Sequence, residues 1–374
     1  MKQFRTTPYK KVIKPLLFLT APDTIHSQMT SLAYGFGKTP GAAKLVRGVI
    51  VRRRPELETT WKGLSLTSPV GLSAGFDKNA KTMSAMRSIG FGFATVGSVT
   101  SLPCAGNPKP WFYRLPNTEA LAVHAGLANE GVDVILGRLN ALPIKVQKEF
   151  PVVLSVARTN SKEASGAEEG IADYVASVEA AKHSVAVSAF EINISCPNAF
   201  GGETYTTPKL LEALLSAIDA VHAPQPKLIK MPADLPWAEF KKLLDVIVKH
   251  DIDGVTISNL TKDRSKIELK DPLPDSVKGG ISGAPVRELS NNLIRRTFAA
   301  YSDKLMIVGV GGILSAEDAY EKITLGATYV ELITGLIFNG PGFIEEVNSG
   351  LVRLMKQDGF SHISEAVGSA HKVA

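Results

Sequence analysis

The sequence predicts an α/β protein, a (β/α)8 TIM barrel with a small N-terminal helical arm. Three observations carry that expectation. Eight short, β-branched, near-continuous apolar runs recur between Pro69 and Ile333, the pattern of parallel strands buried on both faces. Helix-length stretches separate most of these runs. Eight such units over about 250 residues suit a closed barrel better than an open sheet.

Taken in order, residues 1–54 form the arm, 55–360 the barrel and 361–374 a C-terminal tail. Pro15-Leu-Leu-Phe-Leu19 leads into Thr20, Pro22 and Asp23, a helix-start signal. Ile25, Met29, Leu32 and Ala33 then fall near helical spacing. Gly35, Gly37, Pro40 and Gly41 break that segment, and Ala42 to Val51 makes a second short apolar stretch before Arg52, Arg53 and Arg54. With Lys10, Lys11, Lys14, Lys38, Lys44 and Arg47 around them, two short amphipathic helices suit a module lying on a membrane surface. A helical hairpin that caps the main domain fits the residues equally well. The apolar LLFL run is too short, and too closely flanked by Pro15 and Pro22, for a signal peptide. Nothing approaches the 18 or more apolar residues of a membrane span. Pro55 to Trp61 reads as a linker.

The strand runs begin at 69 (PVGLSAG), 93 (FATVGSV), 151 (PVVLSVA), 190 (FEINIS), 227 (KLIKM), 254 (GVTIS), 305 (LMIVGV) and 328 (TYVELI). Helices are expected at 167–182, 208–221, 236–249, 286–301, 315–324 and 341–355. The long connections 99–129 and 259–284 follow the second and sixth strands, on the face where loops over a barrel carry function.

Composition narrows the function classes. A chain of 374 residues, 44% hydrophobic and 21% charged, is globular and large enough for a substantial core. Cys104 and Cys196 make neither a disulfide framework nor a zinc pair, so a reducing compartment and no metal are expected. A net charge of +6, dispersed except at the N-terminus, argues against nucleic acid and suits anionic lipid at the arm.

Chemistry concentrates at the expected strand ends. Glu191 to Asn198 (EINISCPN) is a strand that breaks at Pro197, placing Asn193, Cys196 and Asn198 together at its carboxyl end. A lone Cys is more often an inert core residue; its place on the fourth strand of eight favours a reactive thiol. Ala74 and Gly75 permit close backbone approach, and Lys78 supplies a cation just beyond. Ser98 ends the second strand, and Ser258 and Asn259 end the sixth. Lys230, between Ile229 and Met231, needs an anionic or polar partner in so apolar a strand. Gly309 to Ile313, with Ser315 to cap the next helix, and Thr334-Gly335 fit a phosphate site after strands seven and eight.

Together these motifs resemble the dihydroorotate dehydrogenases, closest to their membrane-associated, quinone-dependent class (class 2). The resemblance runs from about 8 to 355 and rests on AGFDKN (74–79), FGFATVGSVT (91–100), GNPKPWFYRLP (106–116), NISCPN (193–198), DGVTISN (253–259), GGISG (279–283) and VGVGGI (308–313). It implies an FMN flavoprotein that oxidises dihydroorotate to orotate in pyrimidine biosynthesis, with quinone as acceptor, peripheral on the cytoplasmic side of the cell membrane. It implies cofactor contacts from Ala74, Gly75, Ser98, Asn193, Lys230, Ser258, Gly283, Gly311, Gly312 and Thr334. It places substrate at Lys78, Asn193, Asn198 and Asn259, quinone access at His26 and Arg114, and the base at Cys196. The arm resembles the two-helix segment through which quinone reaches the flavin in that class. Several positions depart from the pattern. Cys196 and the loop from His124 to Gly131 lean toward the soluble class, which uses fumarate or NAD. Val123 and Leu260 replace substrate-contacting polar residues, and Ser155 replaces a flavin-binding Asn. A flavin-binding membrane-surface protein with a different ring substrate, or none, is the remaining alternative.

Overall fold

The computed structural model describes residues 8–39, 41–196 and 205–371. Eight parallel strands close on themselves: β1 (Val70–Leu72), β2 (Phe93–Val99), β3 (Val152–Val156), β4 (Ala189–Asn193), β5 (Lys227–Lys230), β6 (Gly254–Ile257), β7 (Met306–Val310) and β8 (Tyr329–Leu332). Closure is made by β8 against β1, with Val330, Glu331 and Leu332 opposite Val70, Gly71 and Leu72. Each strand coincides with one of the eight apolar runs. Strands β1 to β6 are buried along their whole length, which is why their sequences do not alternate.

The expected barrel helices form with ends shifted by a few residues, as Ala167–Ala181, Pro208–Asp219, Trp237–Ile247, Arg287–Tyr301, Ala316–Thr324 and Phe343–Gln357. Leu211, Leu214, Leu215 and Ile218 put one apolar stripe of Pro208–Asp219 into the core. Ser315 caps Ala316–Thr324, its side chain accepting from the Asp318 amide at 3.0 Å.

Two features differ from the sequence reading. The stretch read as a linker instead leads into a hairpin, Thr59–Trp61 with Leu64–Leu66, and buries Leu57. Leu66 packs with Phe93, Val153, Leu228 and Tyr329 and plugs the amino-terminal mouth of the barrel. The two long connections pair with each other in a three-stranded antiparallel sheet of Phe112–Leu115, Ala120–Val123 and Gly280–Gly283. Asp271 locks them, accepting from the Thr118 amide at 2.7 Å, the Thr118 hydroxyl at 2.6 Å and the Asn117 side chain at 2.9 Å. In the tail, Ile363 and Ala366 are buried in the main core.

The arm contains α1 (Lys14–Phe18), α2 (Pro22–Lys38) and α3 (Ala42–Ile50). Ala33, Phe36 and Ile50 pack against the barrel core, whereas Leu45 and Val49 face outward at 70 and 69% exposure. Asp23, in the first turn of α2, accepts from the backbone amides of Trp111 at 3.0 Å and Phe112 at 3.3 Å. Arg114 donates to the carbonyls of Phe18 and Thr20 at 3.2 and 2.7 Å and lies 4.4 Å over the Phe18 ring. Hydrogen bonds to a charged group are worth about 1.5–3 kcal/mol. Asp23→Ala is therefore expected to speed hydrogen exchange and proteolysis across 14–50 while the barrel's melting stays nearly fixed. Unchanged exchange in the arm would mean that apolar packing alone seats it.

Candidate active site

A single cavity of about 660 Å³ runs from the carboxyl ends of the strands outward between the arm helices. Its inner wall is polar on one side, with Ser98, Asn193, Cys196, Lys230, Ser258 and Asn259. Val123, Leu127 and Leu260 line it with side chains that offer no hydrogen bond. The outer part is lined by the arm, including Ile25, His26, Met29 and Phe36.

Asn193 is the node of the inner wall. Its Nδ2 donates to Ser98 Oγ at 2.8 Å, and its Oδ1 accepts from the Ser195 amide and Asn259 Nδ2, both at 3.3 Å. Asn259 also donates to Ser195 Oγ at 3.0 Å, and Ser195 Oγ donates to the Lys230 carbonyl at 2.9 Å. Tyr174, from the helix after β3, donates to the Asn193 carbonyl at 2.6 Å. Ser98 Oγ lies 2.9 Å from Ser155 Oγ. The network joins the ends of β2, β3, β4, β5 and β6. Cys196 lies three residues past Asn193, at intermediate exposure.

The partner that Lys230 requires is Glu191, whose Oε1 is 3.6 Å from Lys230 Nζ in the barrel interior. Lys78 Nζ donates to the Gly75 carbonyl at 2.7 Å and sits 5.2 Å from the Phe112 ring centre. Burial lowers its pKa to about 8, with Asp77 and Asp23 pulling the other way. His26 stands edge-on to Phe76, with centroids 5.6 Å apart. Burial, assisted by Lys78 and Lys109, lowers its pKa to about 3, so the ring is neutral at physiological pH.

The wall suits a flat heterocycle bearing a phosphate. Ser98, Asn193 and Lys230 present hydrogen-bonding groups to a polar ring edge. Gly283, Gly311, Gly312 and Thr334 line the other end. Gly311 and Gly312 adopt φ of 112° and 73°, and a Cβ on Gly312 would come within 2.4 Å of Arg287 Cβ. That turn accepts only glycine and leaves a backbone free of side chains that a phosphate could approach.

Ala74, Gly75, Ser98, Asn193, Lys230, Ser258, Gly283, Gly311, Gly312, Thr334, Lys78, Asn259, Cys196, His26 and Arg114 thus all line this one cavity. Asn198 lies outside the described residues. Sequence reasoning missed Ser195, Tyr174, Glu191 and Glu331. For the two glutamates a signal existed, since each is a charge inside an apolar strand, as Lys230 is. Asn193→Ala would strip partners from Ser98 and Asn259. A cost of about 2 kcal/mol is expected, read as a lower melting temperature in the full chain, and an unchanged melt would remove Asn193 as the structural node.

The dihydroorotate dehydrogenase family profile matches residues 56–355. A dihydroorotate dehydrogenase (quinone) of Haloarcula marismortui is 37% identical over 97% of this chain and 99% of its own. One from Mycolicibacterium smegmatis is 34% identical over 96% and 99%. Among solved structures, DHODH from Eimeria tenella in complex with ferulenol superposes with a TM-score of 0.81 at 26% identity, covering 94% of this chain and 96% of that one.

Proposed function

The chain belongs to the dihydroorotate dehydrogenase family, and on that premise we propose that it oxidises dihydroorotate to orotate and delivers the electrons to a quinone, as a step of pyrimidine biosynthesis. The observation that carries the reading is the continuity of one cavity from the polar strand ends to the arm. A polar carboxylate substrate suits the inner end and an apolar acceptor the outer end.

The cofactor of this reading is FMN, held by Ser98, Asn193, Lys230, Ser258 and the Gly311-Gly312 turn, with Ala74, Gly75, Gly283 and Thr334 beside it. Bound there, FMN supplies two-electron acceptance from carbon and donation to quinone. This chain's residues do the rest. Lys78 and Asn259, with Asn193 and Asn198, hold the ring and its carboxylate. Cys196 takes the proton from carbon 5 while hydride leaves carbon 6. A thiol, with an ordinary pKa near ~8.5, ionises far more readily than a hydroxyl. Lys230 offsets negative charge that develops at the cofactor on reduction. His26, neutral and apolar-faced, and Arg114 border the path of the quinone.

Residues 1–54 are proposed as the quinone-access arm, 55–360 as the catalytic barrel and 361–374 as its tail. Outward-facing Leu16, Leu19, Leu45 and Val49 support peripheral attachment of the arm to a membrane, on its cytoplasmic side. No described helix is long and apolar enough to cross a membrane.

Turnover of dihydroorotate with a quinone analogue tests the reading. Cys196→Ala is expected to lose at least a hundredfold in rate. Cys196→Ser should retain part of it only at more alkaline pH. Full activity in Cys196→Ala would remove the thiol from the reaction. For Lys78, the cation is present below its pKa of about 8 and is lost above it. Orotate affinity should therefore fall up to tenfold per pH unit above about 8, and Lys78→Met should abolish that dependence. A pH-independent affinity in the wild type would place the carboxylate elsewhere.

A further inference from the structure

At the cavity floor the barrel interior holds two carboxyls and one amine, with Lys230 and Glu331 on the cavity wall and Glu191 behind them. Glu191 on β4, Glu331 on β8 and Lys230 on β5 are 0, 1 and 5% exposed. Glu191 Oε1 is 3.6 Å from Lys230 Nζ, longer than a hydrogen bond. Thr95 Oγ1 donates to Glu331 Oε1. Both oxygens of Glu191, Oε2 of Glu331 and the hydroxyl of Thr256 on β6 are buried with no hydrogen-bond partner among the described residues.

Charge and hydrogen-bond counts both point one way. Two ionised carboxylates facing one ammonium would leave a net negative charge in an interior with almost no solvent contact, a costly arrangement. Three of the four carboxyl oxygens also have no donor within hydrogen-bond reach. A single proton cures both deficits, since it neutralises the excess charge and converts one carboxyl into a donor.

We propose that Glu191 and Glu331 carry one proton between them, present a single negative charge to Lys230, and so position its Nζ at the floor of the cavity. They are positioning residues, acting through Lys230. The polar and charged groups acting on Glu331 are Glu191 on β4, Lys230 on β5, Thr95 on β2 and Ser73 after β1. Burial and the charge of Glu191 push the Glu331 carboxyl up to about 8, against the pull of Lys230, Thr95 and Ser73.

A folded carboxyl that keeps its proton where the unfolded one has lost it contributes stability at low pH. That contribution disappears as pH rises from 4.5 to about 8. Glutamine at 331 imitates the protonated state at every pH. Melting the full chain across this range should give a gap between Glu331→Gln and wild type that widens by several degrees up to pH of about 8 and is flat above. Glu191→Gln, which removes the competing charge, should move the widening to lower pH. Parallel melts at every pH would overturn the shared proton. If Glu331→Gln does not fold, the infrared carbonyl band of a protonated, buried carboxyl in wild type decides. Its loss as pH passes about 8 supports the proposal, and its absence at all pH overturns it.

The consequence for the cofactor rests on the functional reading above and has its own readout. The flavin midpoint potential should bend downward near pH 8 in wild type, where the pair gains a second negative charge, and not in Glu331→Gln. A potential without that bend would overturn the link through Lys230. A protein that binds no flavin would sink the functional reading while leaving the melting and infrared results intact.

Discussion

Everything at the inner end of the cavity depends on how one amide is satisfied. Asn193 sits where β4 ends, and the barrel's closure brings the ends of β2, β5 and β6 around it. Its side chain donates to Ser98 and accepts from Ser195 and Asn259, while its carbonyl takes the Tyr174 hydroxyl. With these bonds made, the strand ends hold a fixed polar wall, and a polar ligand meets groups that are already oriented. Preorganisation of this kind matters because a chemical step gains only from groups placed before it begins.

The arm turns that wall into a site with two ends. Polar latches fix it, through Asp23 on the Trp111 and Phe112 amides and Arg114 on the Phe18 and Thr20 carbonyls. Its inward face then completes the outer cavity, and its outward face leaves Leu45 and Val49 in solvent. An aqueous substrate and an apolar acceptor need different surroundings, and this arrangement supplies both around one shared space. Beneath it, the buried charges at Glu191, Glu331 and Lys230 require a barrel interior that is partly polar.

Much of this was legible in the sequence because parallel strands covered on both faces read as uninterrupted apolar runs. Each of the eight runs became a barrel strand, and the polar residues at their carboxyl ends came together in one cavity. What escaped depended on contacts distant in sequence. Ala120–Val123 pairs with Gly280–Gly283, and no local periodicity announces a partner so far along the chain. Leu66 falls between the expected linker and the first strand run, where the sequence carries no signal, yet it packs with Phe93, Val153, Leu228 and Tyr329 at the amino-terminal mouth of the barrel. Glu191 and Glu331 were absorbed into apolar strand patterns, although the reasoning that demanded a partner for Lys230 applied to them equally. Val123 and Leu260 do line the cavity, so the apolar stretch of its wall is a property of this chain and bears on which ring edges it recognises.

The most direct test of the central claim is anaerobic mixing of the purified protein with dihydroorotate, followed by a quinone analogue, with absorbance in the flavin range recorded throughout. The account predicts bleaching on the first addition and recovery of the oxidised spectrum on the second. A flavin that dihydroorotate never bleaches, or that stays bleached with quinone and recovers with fumarate or NAD, would contradict it.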